Sequence, residues 1–331
     1  MNSLFLIVPI FLPIILGALS FLIPAEKKKQ RNAFVLFTIL CSSVSVWALA
    51  LNTPQESLTL LNFTENLSFV LKLDGAGKIF SCLSATLWPL TALYAFEYMS
   101  HEKSQPMFYA FFTMAFGATM GIAMASNILT MYLFYELLTL FTIPLVMHGF
   151  TKKHNQAARK YMNYSIGGAA FAFAGVAFLI VNDANDFVFG GHITSPQDPT
   201  IALILFVFAF LGFGVKAAVF PLHSWLPTAS VAPTPVNALL HAVAVVKAGA
   251  FAIIRLIYYS YGTAFIKGTW AQNLVMALAV FTILYGSMTA LRQKHFKRRL
   301  AYSTISNLSY IVFAATLMTE AGLLAAFCHL V

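Results

Sequence analysis

Residues Leu211 to Leu256 read LGFGVKAAVFPLHSWLPTASVAPTPVNALLHAVAVVKAGAFAIIRL. Lys216 and Lys247 stand inside otherwise apolar segments of helical length. Between them lies Pro221-Leu222-His223-Ser224-Trp225-Leu226-Pro227, which cannot continue an ordinary helix, because each proline removes an N–H and crowds the turn before it. A lysine near a bilayer centre costs about 2.5–3.5 kcal/mol on insertion scales, so it faces a partner or a water-filled cavity. Backbone that breaks at membrane depth is tolerated only where protein or water covers it. Two buried cations flanking a broken helix therefore point to an ion path.

Working outward, the surroundings are those of a membrane protein. Of the 331 residues, 60% are hydrophobic and 9% charged, against about 25% charged in a soluble domain. The apolar residues run in stretches of about 20 rather than with amphipathic spacing. The chain reads as an all-α polytopic membrane protein, embedded in the lipid bilayer of a cell (inner) membrane. A formal charge of +9 in a soluble protein would raise nucleic-acid binding; here no nucleic acid is expected, because the cations follow membrane topology. Cys41, Cys82 and Cys328 lack CxxC spacing and read as small buried hydrophobes. No nucleotide, haem, iron–sulfur or metal motif occurs, so neither a cofactor nor a metal site is expected.

Ten spans are predicted, at about 4–23, 33–51, 76–98, 107–125, 128–150, 161–181, 201–221, 235–259, 271–291 and 301–318, with the seventh broken at Pro221. A final segment from Ala321 is too short to span and reads as a partial eleventh. The first span is retained, since its charges follow the apolar run instead of preceding it. Loops after even-numbered spans carry only Lys72 and Lys267 as cations, whereas loops after odd-numbered spans hold fourteen lysines and arginines. That asymmetry sets the basic loops in the cytoplasm and the amino terminus outside.

Few charges remain within the spans. Glu136 lies mid-span in Thr130–Leu138 and is either a proton carrier or the partner of a lysine; a protonated structural glutamate is the plainer alternative. Lys247 is central in its span and cannot snorkel to either surface. Lys216 lies near the centre only if the chain stays in the bilayer through the proline break. Arg255, close to the outer end of the same span as Lys247, reads as a snorkelling anchor. His241 extends a water chain or is a hydrogen-bonded structural histidine, and His223 relays protons or caps freed carbonyls. His148 and His329 belong to no motif in the sequence and read as structural histidines.

These residues carry a resemblance. The chain resembles the antiporter-like membrane subunits shared by respiratory complex I, Mrp-type sodium/proton antiporters and membrane-bound hydrogenases. The matching motifs are Asp74-Gly75, Tyr135-Glu136-Leu137, Lys216 with Pro221–Pro227, Ala232-Pro233-Thr234-Pro235-Val236, Ala238-Leu239-Leu240-His241 leading to Lys247-Ala248-Gly249, and Leu300–Ser306. The resemblance implies an inverted-repeat, antiporter-like fold with a broken helix 7. Residues 1–105 would hold the first three helices, 106–260 the first repeat, and 261–331 the start of an incomplete second repeat. It implies that Glu136 pairs with Lys216 on a proton path and that Lys247 links this half-channel to the next. Partners would be the other membrane subunits of a complex I-like, hydrogenase or Mrp assembly, and the transported ion a proton or sodium. The wording around Lys247 lies slightly closer to the hydrogenase and antiporter branches.

The chain departs from the family pattern at Thr228, Asn237, His295 and Ser309, which leaves the membrane charges in place. It also stops before the second broken helix, so a fragment or split product is expected. The subunit itself would carry no redox chemistry. The expected function is proton translocation within a redox-driven pump or a cation/proton antiporter; the alternative is a truncated, non-transporting scaffold.

Overall fold

A computed structural model describes residues 3–54, 56–64, 67–102, 104–194 and 196–331, with His241 described by its backbone alone. The helices are α1 (Val8–Leu19), α2 (Lys28–Leu51), α3 (Gly75–Tyr98), α4 (Gln105–Ala123), α5 (Ile128–Met147), α6 (Lys152–Val181) and α7 (Pro199–Lys216). They continue as α8 (Trp225–Ala229), α9 (Thr234–Ala238), α10 (Val245–Arg255), α11 (Thr263–Ile266), α12 (Trp270–Arg292), α13 (Phe296–Thr316) and α14 (Glu320–Leu330). Among the described residues, eight helices are long and apolar enough to cross a membrane, where ten spans were predicted. The predicted eighth span is divided into α9, α10 and two π-turns, each piece short, and the tenth opens on the basic first turn of α13.

Side-chain exposure suits a lipid environment. α2, α6 and α12 turn Phe37, Trp47, Phe171, Phe173, Phe281 and Leu284 outward, an apolar surface too extensive for water. α4 and α10 are enclosed along nearly their whole length and form the core of the bundle. Local chemistry sets where the helices begin. The Asp74 carboxylate, the Asn127 amide and the Thr151 hydroxyl cap α3, α5 and α6 by accepting first-turn N–H bonds, and proline opens α4 and α7.

Residues between the second and third spans, read from the sequence as a polar loop, form an antiparallel hairpin of β1 (Leu58–Thr64) and β2 (Leu67–Leu71). Two successive runs of β-prone residues are the signal for it. The hairpin organises one end of the bundle. Its Val70 carbonyl accepts from Ser126 N, Lys72 N donates to Met124 O, and Asn127 Nδ2 donates to Ser68 O. Residues 185–192 continue the layer through Ile128 N to Asn185 O, Phe187 N to Ser126 O and Val188 N to Tyr259 O. The loops after the second, fourth, sixth and eighth predicted spans thus share one end. At the other end Lys160 reaches Thr228 and Lys297 reaches Ala232 O, both at 3.2 Å. The helices alternate as the charge pattern requires.

The broken segment departs from its prediction. α7 ends at Lys216, five residues before Pro221, with Ala218 in the left-handed region at φ 55°. The chain then turns through residues 217–224 into α8. A π-turn at Leu239–Val243 separates α9 from α10. Gly249 of α10 packs on the exposed end of α7: a Cβ there would stand 2.4 Å from Ala217 N and 2.8 Å from the Lys216 carbonyl carbon. Only glycine permits this approach, and it brings Lys216 and Lys247 onto touching elements.

Candidate functional site

The end of α7 is held by side chains from elsewhere. A helix C-terminus leaves its last carbonyls without intrahelical partners. Here Phe213 O and Val215 O accept from Ala217 N and Ala218 N of the following turn, and in addition Trp225 Nε1 donates to Val215 O at 2.7 Å and the Tyr135 hydroxyl donates to Phe213 O at 3.1 Å. Lys216, the last residue of α7, is 1% exposed. Its position at a helix C-terminus suits a cation, because the macrodipole is negative there. Its ammonium donates to the main-chain oxygen of Tyr135 and lies 3.3 Å from the centre of the Tyr135 ring. The lysine therefore spans from the end of one broken helix to the middle of α5.

Glu136 is the next residue on α5. Its carboxylate is within electrostatic reach of Lys216, and one oxygen, Oε1, is enclosed without a hydrogen-bond partner among the described residues. The two charges act across space, since no salt bridge joins them among the described residues. The phenols of Tyr132, Tyr135 and Tyr161 lie within the same electrostatic range. Tyr161 shares a hydrogen bond with Thr142 at 2.8 Å and packs on Trp225 at 4.8 Å between centroids. Of these tyrosines only Tyr135 stood out in the sequence, through its motif with Glu136; Tyr132 lies one turn before Glu136 on α5, and Tyr161 reaches the site from α6, which no local pattern signals.

Lys247 lies in the first turn of α10, half-buried, and its ammonium donates to Leu330 O at 2.6 Å. A cavity of about 210 Å³ opens beside it, lined by Thr304, Asn307 and His329. His329, read as solitary in the sequence, is thus a neighbour of Lys247 through the packing of α14 on α13. His223 is buried in an aromatic cluster. It stacks on Phe220 at 5.5 Å and meets Tyr285 edge-on at 4.9 Å, and its Nδ1 has no partner among the described residues. Tyr285 of α12 and Tyr302 of α13 complete the cluster. The backbone of His241 forms part of the π-turn, and its side chain lies outside the described residues.

Arg255 overturns its prediction. Instead of snorkelling, it is 1% exposed and forms a bidentate ion pair with Asp74, at 2.5 and 2.6 Å. Phe187, Phe251 and Tyr259 surround the guanidinium at 4.6–5.0 Å from their ring centres. The reason is tertiary: α10 stays covered by protein up to its last turn, so the arginine cannot reach water or headgroups and takes a counter-ion instead. Asp74 caps α3 at the same time, accepting from Gly77 N at 2.8 Å.

With this geometry established, comparison with known proteins is decisive over residues 125–331, which match the family model described as NADH:quinone oxidoreductase/Mrp antiporter, TM. The chain belongs to this family. The matched region contains Glu136, Lys216, His223, His241 and Lys247. Subunit 5 of the chloroplastic NAD(P)H-quinone oxidoreductase of Amborella trichopoda is 29% identical over 329 residues, covering 92% of this chain and 43% of the relative. Its counterpart from Barbarea verna is 30% identical, with 93% and 43% covered. The chain spans less than half the length of these relatives. Two solved structures share the fold at 22% identity. The Mrp complex from Dietzia sp. DQ12-45-1b superposes at a TM-score of 0.85, covering 98% of this chain and 35% of that one. The membrane-bound sulfane sulfur reductase, an archaeal respiratory membrane complex, superposes at 0.83, covering 99% and 69%. The protein is a multi-pass, antiporter-like membrane subunit of this family.

Proposed function

We propose that the chain forms part of a transmembrane proton path in a multisubunit respiratory or antiporter complex, with Glu136 and Lys216 as its first proton-exchanging pair and Lys247 as the next station. One observation supports this above the others: Lys216, fully enclosed at the end of a broken helix, rests on Tyr135 within electrostatic reach of Glu136 and outside salt-bridge distance. A carboxylate drawn toward the ammonium favours the charged lysine, and one drawn away favours release of its proton. Because the lysine is held by a main-chain oxygen and a ring face, small movements of α5 against α7 change the balance. The released proton would pass toward Lys247, whose element touches Lys216 through Gly249, and onward to the polar cavity with Asn307 and His329.

In this reading α4–α10 act as one repeat of an inverted-repeat, antiporter-like fold, and α12–α14 begin a second. The basic loops lie in the cytoplasm, and the partners are other membrane subunits of a complex I-like, hydrogenase or Mrp assembly. The subunit moves protons and leaves electron transfer to its partners. The test is proton flux in vesicles bearing the assembled complex. Lys216→Ala and Lys247→Ala should each abolish flux, while Lys72→Ala, at an exposed position beside the hairpin, should leave it unchanged. Flux at the normal rate in both buried-lysine variants would overturn the proposal.

A further inference from the structure

At the end of the bundle away from the hairpin, a cavity of about 720 Å³ opens between three separate parts of the chain. The start of α6 contributes Lys153 and Gln156, the broken segment Thr228 and Ser230, and the α12–α13 junction His295, Lys297 and Arg298. Its size falls in the range of small-molecule sites, about 300–1,000 Å³. Among the described residues, no carboxylate lines it. Lys160, held on the Thr228 hydroxyl at 3.2 Å, adds a further cation at its edge, and the Lys297 ammonium is anchored to Ala232 O at 3.2 Å.

Two helix N-termini converge on the same space. The positive end of a helix macrodipole favours anions within the first turn. Neither α6 nor α13 has an acidic residue there; each has lysine or arginine instead, and His295 gives α13 no side-chain cap. Three formal cations and two positive helix ends thus surround one cavity with no countercharge. The positive-inside rule explains cations in these loops, but not their convergence on a cavity carrying hydroxyls and uncapped N–H groups.

We propose that this cavity binds a phosphate-bearing anion. Lys153, Lys297 and Arg298 supply charge, the Gln156 amide and free first-turn N–H groups of α13 supply directed donors, and the anion ties α6 and α13 to the broken segment between them. Phosphoryl oxygens fit this set: they accept from several donors at once and match an arginine fork. The phosphoryl group belongs either to an anionic lipid at the membrane surface or to a soluble phosphate compound, which the experiment separates.

The test uses the protein in its complex, purified in detergent and stripped of lipid. Native mass spectrometry follows binding of phosphatidylglycerol, with diacylglycerol as the probe lacking phosphate, and calorimetry follows inorganic phosphate. The expected result is one saturable site per chain for phosphatidylglycerol or phosphate and none for diacylglycerol, with affinity falling as salt rises. Binding of the lipid alone assigns the site to a headgroup; competition by inorganic phosphate assigns it to a soluble ligand. Lys297→Gln/Arg298→Gln should weaken binding at least tenfold. Lys153→Gln, exposed on a different helix, should also weaken it, so the outcome does not hang on the folding of α13. Lys27→Gln/Lys28→Gln, which removes two cations from another basic loop, should leave binding unchanged. Absence of saturable binding by either probe, or equal losses in the Lys27/Lys28 variant, would refute the site.

Discussion

Separating Asp74 from Arg255 should be the most informative single perturbation of stability, because the two residues are 181 positions apart and join α3 to α10. Removing one partner of a buried ion pair costs about 3–5 kcal/mol, chiefly because the other charge is left uncompensated. Arg255 is enclosed and aromatic-lined, whereas Asp74 retains 30% exposure of its side chain. The effect is therefore asymmetric. Asp74→Asn keeps a capping oxygen for Gly77 N and strands the arginine, so it should destabilise by about 3 kcal/mol, the lower end of that range. Asp74→Ala also removes the cap and should add about 1 kcal/mol. Arg255→Met leaves a carboxylate that still has water and the Gly77 N–H, and should cost only about 1–2 kcal/mol. The double variant Asp74→Asn/Arg255→Met should cost less than the sum of its parts by about 2 kcal/mol. Equilibrium unfolding in mixed micelles reads these differences. Additive costs, with a coupling below about 0.5 kcal/mol, would refute the assignment of the pair as a buried lock.

The same pair sets a pH dependence. Burial alone would raise the Asp74 carboxyl, but the Arg255 hydrogen bonds and charge, with the Gly77 N–H, outweigh it and hold the group below its ordinary value of 3.8. A carboxyl depressed on folding stabilises the fold fully above its unfolded value and loses that contribution as pH falls through the folded one. The stability gap between the wild type and Asp74→Asn should thus be constant from pH 6 to 8 and close only in acid below about pH 4. A gap that closes near neutrality would point to a different titrating group.

Three further outcomes follow from particular contacts. Gly249→Ala places a methyl against the backbone at Ala217 and should destabilise by about 1–3 kcal/mol, whereas Gly167→Ala, with nothing within 4 Å, should stabilise α6 by about 0.5–1 kcal/mol; thermal unfolding of both checks the close approach. Trp225→Phe keeps the ring packing on Tyr161 but strips Val215 O of its indole donor, leaving it the Ala218 N–H alone, for a loss of about 0.5–1.5 kcal/mol in the same assay. Lys28→Cys and Asn62→Cys should react with a membrane-impermeant thiol reagent from opposite faces of sealed vesicles; labelling from the same face would contradict the alternation of the loops.

Much of this protein is legible in the sequence because a bilayer makes local composition decisive. An apolar run of about 20 residues has few alternatives to a spanning helix, and the cations of the connecting loops report which ends lie together. Glu136, Lys216 and Lys247 could be singled out for the same reason: a charge inside such a run is expensive wherever it points. What that charge meets is decided by tertiary structure. Arg255 and Lys247 look alike in one span, yet Arg255 binds Asp74 across 181 residues, and Lys247 faces a carbonyl and a small polar cavity. The early end of α7 at Lys216, the hairpin that laces one end of the bundle, and the neighbourhood of His329 escape local reading for a common cause. Each depends on hydrogen bonds or packing from residues distant in the chain: Trp225 and Tyr135 on α7, Thr130 and Asn127 on the hairpin, α13 beneath α14. Sequence determined which groups had to be buried, through the free energy of placing them in lipid; tertiary structure decided which partners meet them, through contacts that no local pattern encodes.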